Sequence, residues 1–186
     1  AIFGPVVLAF GLLALFFTSS YRVNIDNPEV IKRASSSMSA NVLKGDAIKN
    51  KALSEKQYIP FFGSSELSRI SPFHPSVLAE KYDRGYRPFL LGAPGTQSLS
   101  QYMMMRSAGD DLKNKKVVFI ISPQWFVKDG VKTDYFNTYY SELQTYDWLF
   151  SLKKVTSADR YLARRLLTFS KVKENDTLTG ILQTIK

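Results

Sequence analysis

The chain has 186 residues and a formal net charge of +9, enough length for one domain with a buried core and an appendage. It contains no cysteine and one histidine, His74, which excludes disulfides, thiolate catalysis and zinc sites built on several Cys or His side chains within this sequence. The basic excess favours a polyanionic partner such as nucleic acid, an anionic membrane or a phosphate polymer.

The first 17 residues contain no charged side chain and are almost entirely apolar. A membrane-spanning helix needs about 20 such residues, and residues 18–21 extend the run to that length. We therefore expect a transmembrane anchor over residues 1–21. A cleaved signal peptide is less favoured because no small-x-small cleavage site follows. A buried core helix is less favoured because apolar residues cover every face.

Residues 22–57 are polar and rich in lysine, with three consecutive serines at positions 35–37. Helix-forming residues and scattered apolar residues occupy positions 34–53. This composition is typical of a linker with one or two surface helices between the anchor and the next domain. We interpret the three serines as solvated linker or capping residues.

The domain that follows spans residues 58–186. In its first part, strand-like segments alternate with helix-like ones. The patterns predict strands over 58–62, 87–92 and 117–121, and helices over 76–82 and 98–112, each capped by its first serine. The run at 117–121 is continuously apolar, as expected for a central parallel strand buried on both faces. The alternation predicts an α/β fold with a doubly wound, mainly parallel sheet.

Residues 134–185 are predicted to be helical and irregular. One set of side chains there is interpreted as core, with a membrane contact as the alternative: Tyr139, Tyr140, Leu143, Tyr146, Trp148, Leu149 and Phe150. A basic set is interpreted as solvated helix surface, with an anionic polymer or lipid head groups as the alternative contact: Arg160, Arg164, Arg165, Lys171 and Lys173.

Loops follow the three predicted strands at residues 63–65, 92–95 and 122–125. Because the carboxyl ends of parallel strands meet at one edge of a sheet, we expect these loops to converge on a ligand site. The Gly-Ser-Ser turn of the first loop can expose a serine hydroxyl beside backbone N–H groups. An acyl-transfer nucleophile needs this geometry.

Ser65 is the candidate nucleophile of this site. The candidate oxyanion donors are its own backbone N–H, the N–H of Gly92 or Gly95, and the side-chain amide of Gln124. No metal or other cofactor is expected.

A serine nucleophile also needs a general base, commonly a histidine oriented by a carboxylate. His74 lies nine residues after Ser65 in a proline-flanked turn. We favour packing or hydrogen bonding within that loop as its role, with catalysis as the less favoured reading. The base and its carboxylate are then expected in a C-terminal segment absent from this sequence.

Several blocks of the sequence together resemble the DltD family, the D-alanyl transfer proteins of Gram-positive bacteria: residues 61–67, 72–75, 84–85, 89–92, 97–99 and 116–126. The resemblance covers most of the chain. It implies an SGNH/GDSL-hydrolase-like fold that lacks its C-terminal part here. It also implies a membrane-anchored, extracytoplasmic protein that acts in the D-alanylation of lipoteichoic acid. The implied partners are lipoteichoic acid as acceptor, the membrane-bound O-acyltransferase DltB and, indirectly, the D-alanyl carrier protein.

In SGNH enzymes the nucleophile is the third residue of a Gly-x-Ser block, which assigns the role to Ser65 rather than Ser64. Glycine and asparagine blocks supply oxyanion donors. Gly92 or Gly95 would fill the first, and Gln124 stands near the asparagine position. The family's Asp-x-x-His block has no match, so the chain as written would be an incomplete and inactive form of the enzyme.

The expected function is therefore a serine acyltransferase in which Ser65 forms a D-alanyl ester and passes it to a teichoic-acid hydroxyl. An anchored esterase or thioesterase is one alternative, and dependence of product formation on an acceptor distinguishes the two. A non-catalytic scaffold that recruits a membrane O-acyltransferase is another. Nucleic-acid binding is disfavoured because no recognised motif accompanies the charge.

Overall fold

The structure of the chain, a computed structural model, describes residues 3–19, 24–128, 130 and 132–186. Its sheet is formed by the strands β1 (Tyr58–Phe62), β2 (Arg87–Leu91) and β3 (Val118–Phe119). The strands are parallel and lie in the order β2–β1–β3. β1 pairs with β2 along its whole length and with β3 only at its last two residues. The predicted α/β class and the parallel sheet are therefore confirmed.

Helices account for most of the other described residues. The α-helices are α1 Phe3–Thr18, α2 Pro28–Ala34, α3 Ala40–Lys44, α4 Ala47–Ser54, α5 Pro75–Lys81, α6 Ser98–Ala108, α7 Thr133–Tyr139, α8 Glu142–Phe150, α9 Ser157–Leu166, α10 Ser170–Lys173 and α11 Asp176–Ile185. Short 3₁₀ helices occur at Ser65–Ser68, Gly109–Leu112 and Pro123–Trp125.

The helices predicted over 76–82 and 98–112 exist, but their predicted serine caps are wrong. α5 begins at Pro75, and the cap is the side chain of His74, which accepts a hydrogen bond from the Ser76 N–H. Proline fits the first helical position because its missing N–H would have no partner there. α6 begins at Ser98 without any side-chain cap bond and gives way to a 3₁₀ turn after Ala108.

The prediction that residues 117–121 form a central, buried strand is wrong. β3 is only two residues long and lies at the edge of the sheet. Val118 and Phe119 remain 37% and 38% exposed, whereas Phe62 in the central strand β1 is completely buried. An apolar run shows that a strand can be buried, but neighbouring strands decide its position, and these lie far away in sequence.

The segment interpreted as a surface linker contributes to the core. Ile31 on α2, Leu43 on α3 and Ala52 on α4 are buried in one cluster with Phe62 and Phe89 of the sheet. Full burial of a Phe or Leu side chain stabilises the fold by about 1.5–3 kcal/mol. These helices therefore form part of the layer that covers the sheet.

Lys49 connects α4 to α6 from a completely buried position. Its Nζ donates to Asp46 Oδ1 and to Ser107 Oγ, each at 2.6 Å. Burial lowers the pKa of Lys49, and the adjacent Asp46 carboxylate partly offsets this. Because a buried charge without a partner is strongly destabilising, the two bonds are needed to hold the lysine there.

A second core lies among the helices α7 to α11. Trp148 is completely buried, and the rings of Phe136 and Phe169 stack with their centroids 3.9 Å apart. Of the predicted aromatic cluster, Tyr140 and Trp148 are core, whereas Leu143 and Phe150 are exposed. The predicted basic set is mostly solvated, except that Arg165 is half-buried with its guanidinium 5.1 Å from the Phe169 ring centroid.

The anchor predicted over residues 1–21 includes residues 1, 2, 20 and 21, which lie outside the described residues. Within it, α1 is 16 residues long and buries none of its side chains. Among the described residues, no helix combines the length and apolar character needed to cross a membrane.

Candidate active site

The first predicted loop, residues 63–65, leaves the carboxyl end of the central strand β1. The Gly63 N–H donates to the Leu91 carbonyl at 3.3 Å, which continues the β1–β2 pairing by one residue. The chain then turns at Ser64 and enters the 3₁₀ helix Ser65–Ser68. A strand that ends in a turn and a helical segment at the carboxyl edge of the sheet is the arrangement that the sequence predicts.

The two serines of this turn lie in different environments. Ser64 is only 3% exposed, and its hydroxyl donates to the Ala93 carbonyl at 3.3 Å. Ser65 is half-buried, and its hydroxyl makes no hydrogen bond to any described residue. Ser65 therefore has the more accessible hydroxyl of the two, whereas Ser64 is part of the packing.

The second loop holds the first by direct contact between backbones. A Cβ atom on Gly92 would lie 2.2 Å from the Gly63 carbonyl oxygen, so only glycine permits this approach. Farther along the loop, Gly95 has φ +93°, a conformation that side chains other than glycine rarely adopt. The ring of Tyr135 covers Gly95, with the nearest ring atom 2.7 Å from an added Cβ.

Two buried side chains that the sequence analysis missed fix the Gly63 carbonyl. Thr96 Oγ1 and Gln101 Nε2 each lie 2.8 Å from this oxygen. The Thr96 hydroxyl also accepts from the Ala93 N–H at 3.0 Å and lies 2.8 Å from the Ala93 carbonyl, so its single proton serves one carbonyl at a time. A helical spacing places Gln101 on the same face of α6 as the apolar residues Met104 and Ala108, which are both buried. A polar side chain on an apolar helix face is the sequence signal that indicates a buried hydrogen-bonding role.

The backbone N–H groups predicted as oxyanion donors lie at the ends of β1 and β2. Among the described residues, the N–H groups of Ser65, Gly92 and Gly95 have no hydrogen-bond acceptor. Free N–H groups beside a nucleophile can stabilise the negative charge of a tetrahedral intermediate. The role of these three N–H groups as oxyanion donors stays a prediction.

The third loop follows β3 and reaches the same edge of the sheet. The Ile120 N–H donates to the Phe62 carbonyl at 2.8 Å, which places the end of β3 beside the end of β1. Gln124 is exposed on the 3₁₀ helix Pro123–Trp125, and its amide has no partner among the described residues. Its role as an oxyanion donor stays a prediction.

A carboxylate belongs to the same turn. Glu66 Oε1 accepts a hydrogen bond from the Ser64 N–H at 2.5 Å. A Cβ atom on Gly63 would lie 2.7 Å from this oxygen, so the glycine leaves the space that the carboxylate occupies. Glu66 is half-buried, and its role in the turn is not evident from the sequence.

Both ring nitrogens of His74 form hydrogen bonds with the backbone of its own segment. It is 6% exposed; Nδ1 accepts from the Ser76 N–H at 3.3 Å, and Nε2 lies 3.0 Å from the Leu67 carbonyl. A carbonyl cannot donate, so the ring carries its proton on Nε2. Both nitrogens are engaged by the backbone, which supports the structural role favoured from the sequence.

An open cleft of about 700 Å³ lies beside the second and third loops, where it is lined by Gln97 and Trp125 and also by Tyr161 and Arg165. The candidate nucleophile and the candidate oxyanion donors do not line this cleft. In the described part of the chain, no three His, Cys, Asp or Glu side chains lie together in a way that could hold a metal ion.

The family match and the similar proteins found by comparison all indicate the same family. Residues 35–186 match the family described as DltD protein. The chain is 44% identical over 182 residues to Protein DltD of Lacticaseibacillus rhamnosus, with 98% of the chain and 43% of that relative covered. It is 35% identical to Protein DltD of Bacillus subtilis (strain 168), covering 97% of the chain and 46% of the relative.

A third relative, Protein DltD of Staphylococcus aureus (strain NCTC 8325 / PS 47), is 34% identical over 186 residues, covering 99% of the chain and 48% of the relative. The chain thus spans less than half the length of each of these relatives. The family match and the three identities agree with the site's strand-and-turn arrangement, and the chain belongs to the DltD protein family.

Proposed function

We propose that this chain carries the nucleophile and oxyanion donors of a site that D-alanylates lipoteichoic acid. The observation that carries the proposal is the contrast within the turn: the Ser65 hydroxyl is accessible and free of hydrogen bonds to described residues, while Ser64 is buried. Membership of the DltD family supports the choice of D-alanyl transfer among the reactions open to a serine nucleophile.

The proposed reaction has two steps. In the first, Ser65 Oγ attacks the carbonyl carbon of an activated D-alanyl ester or thioester, its proton passes to a general base, and the alcohol or thiol leaves with a proton. In the second, a teichoic-acid hydroxyl attacks the D-alanyl ester of Ser65, which restores the serine hydroxyl. The N–H groups of Ser65 and of Gly92 or Gly95 stabilise the oxyanion in both steps. Gln124 is proposed as a further donor.

We assign the general base to a part of the full-length protein outside this sequence, because both nitrogens of His74 are engaged by the backbone. We also place the reaction at the extracytoplasmic face of the cell membrane, with DltB as partner and the D-alanyl carrier protein as an indirect source of acyl groups. The entirely exposed apolar surface of α1 supports a membrane location, and the net charge of +9 suits a polyanionic acceptor.

Labelling with a serine-directed fluorophosphonate tests the proposal in the full-length protein. Ser65→Ala is expected to abolish labelling and to abolish teichoic-acid D-alanylation in cells. Ser64→Ala is the matched control and is expected to retain labelling. Full D-alanylation in cells that carry Ser65→Ala would refute the proposal.

An esterase or thioesterase is the second candidate, because Ser65 is open enough for water to reach an acyl intermediate. Transfer requires that an alcohol acceptor exclude water from the reacting ester. Product analysis with and without a glycerol-phosphate polymer separates the two reactions: a transferase forms an ester with the polymer, and an esterase releases D-alanine at the same rate in both cases.

A further inference from the structure

Glu66 is the residue that immediately follows the candidate nucleophile, and only one of its carboxylate oxygens has a partner among the described residues. Oε1 accepts from the Ser64 N–H at 2.5 Å and occupies the space that the missing Cβ of Gly63 leaves. Oε2 receives no hydrogen bond from any described residue, and the side chain is half-buried. The geometry thus fixes a negative charge within the turn that presents Ser65.

A carboxylate at this place is unfavourable for acyl transfer by itself. The reaction builds negative charge on the substrate oxygen, and a nearby negative charge opposes it. The hydrogen bond to Ser64 does not require a charge, because a glutamine side chain would offer an equivalent acceptor oxygen. The hydrogen bond to the Ser64 N–H therefore does not explain why the side chain at position 66 is charged, and a positively charged group of the substrate would.

We propose that Glu66 binds the α-ammonium group of the D-alanyl unit while Ser65 attacks its carbonyl. This inference rests on the proposed function and names the substrate feature that the site selects. The ammonium group is attached to the carbon next to the reacting carbonyl, so it must lie within a few bond lengths of Ser65 Oγ. A charge-assisted hydrogen bond from the ammonium to Oε2 would orient the acyl group and cancel the carboxylate charge.

Glu66→Gln in the full-length protein tests the inference, because it keeps the acceptor for the Ser64 N–H and removes only the charge. The substrates are the p-nitrophenyl esters of D-alanine and of propionic acid, which differ only in the ammonium group. We expect the ratio of kcat/KM for D-alanyl to propionyl ester to fall by about 10–100-fold. Fluorophosphonate labelling of Ser65 should persist. Glu80→Gln, which removes an exposed carboxylate on α5, is the matched control and should leave the ratio unchanged.

The outcomes separate this inference from the proposed function. If Ser65→Ala abolishes turnover of both esters and Glu66→Gln leaves their ratio unchanged, the proposed function stands and the ammonium role is wrong. If Glu66→Gln lowers both rates equally, Glu66 only shapes the turn. If Ser65→Ala turns over both esters at the wild-type rate, the proposed function itself fails.

A second measurement needs no variant and applies if Glu66→Gln does not fold. D-alaninamide and propionamide are compared as protectants against fluorophosphonate labelling of the wild-type protein. We expect D-alaninamide to protect at concentrations about tenfold or more below those of propionamide, because only the former carries an ammonium group. Equal protection by the two amides would overturn the inference.

Discussion

Gly92 lies against Gly63 so closely that an added Cβ at position 92 would be 2.2 Å from the Gly63 carbonyl oxygen and 2.4 Å from its carbonyl carbon. The contact joins the loop after β2 to the turn after β1, where neither backbone can move without disturbing the other. The missing side chain of Gly92 therefore allows the two strand ends to approach this closely. The N–H of the same residue is a candidate oxyanion donor.

Gly92→Ala is expected to destabilise the protein by about 1–3 kcal/mol, because the new methyl group must displace backbone atoms. It should also slow fluorophosphonate labelling of Ser65. Urea unfolding and the labelling rate measure the two effects. The control is Gly180→Ala within α11, where an added Cβ meets nothing within 4 Å. That change should stabilise the helix by about 0.5–1 kcal/mol. A Gly92→Ala variant with unaltered stability would contradict the close contact.

His74 is expected to matter for folding rather than for nucleophile activation. His74→Ala removes the cap of α5 and the bond to the Leu67 carbonyl, so unfolding free energy should fall by about 1–2 kcal/mol. His74→Asn should lose less, because asparagine also caps helices. Both folded variants should be labelled at Ser65 at the wild-type rate between pH 6 and 9. Loss of labelling in a folded His74→Asn protein would instead identify His74 as the base.

Asp159 is expected to make the stability of the folded protein depend on pH in the acidic range. Burial alone would raise the pKa of this carboxyl, but hydrogen bonds from Thr156 and Trp148 outweigh burial and lower it below its ordinary value of 3.8. A carboxyl with a lowered pKa in the folded state binds fewer protons there than in the unfolded state. The contribution of Asp159 to the free energy of unfolding is therefore present above about pH 3.8. It is lost as the pH falls through the folded-state pKa.

Asp159→Asn should consequently cost about 1–3 kcal/mol at pH 7, and this difference from wild type should shrink as the pH falls below 4. Tryptophan fluorescence during urea unfolding reports the change, since Trp148 donates directly to Asp159 at 2.9 Å. Asp176→Asn, an exposed position in the first turn of α11, is the control and should cost only a few tenths of a kcal/mol. A cost that stays constant down to pH 3 would contradict the assigned ionisation.

The parts of the fold that depend on local patterns could be predicted from the sequence. The strands at 58–62 and 87–91 and the turn that contains Ser65 were found because apolar runs end at glycine or polar residues there. The choice of Ser65 over Ser64 came from family resemblance. The structure adds a physical contrast between the two, since burial of Ser64 depends on the Ala93 carbonyl, which no local pattern reveals.

The parts that depend on contacts between distant residues could not be predicted. The apolar run at 117–121 gave no sign that β3 would be short and lie at an edge, because sheet order depends on other strands. The bonds from Thr96 and Gln101 to the Gly63 carbonyl also could not be predicted, since Gly63 lies more than 30 residues earlier in the chain. The predicted cap of α5 was wrong because a histidine, an unusual capping residue, occupies the position before Pro75. The predicted cap of α6 was wrong because Ser98 is already the first helical residue.

The peptide unit between Gly63 and Ser64 is restrained at both of its ends. Thr96 and Gln101 hold its carbonyl oxygen, while the Glu66 carboxylate holds its N–H. A peptide plane tied on opposite sides cannot rotate freely, so the 3₁₀ helix that begins at Ser65, one residue after this unit, is attached to a restrained piece of backbone. The conformational entropy of that turn is lost during folding and not during the reaction. On the proposed function, the backbone before the candidate nucleophile is therefore in place before any substrate binds.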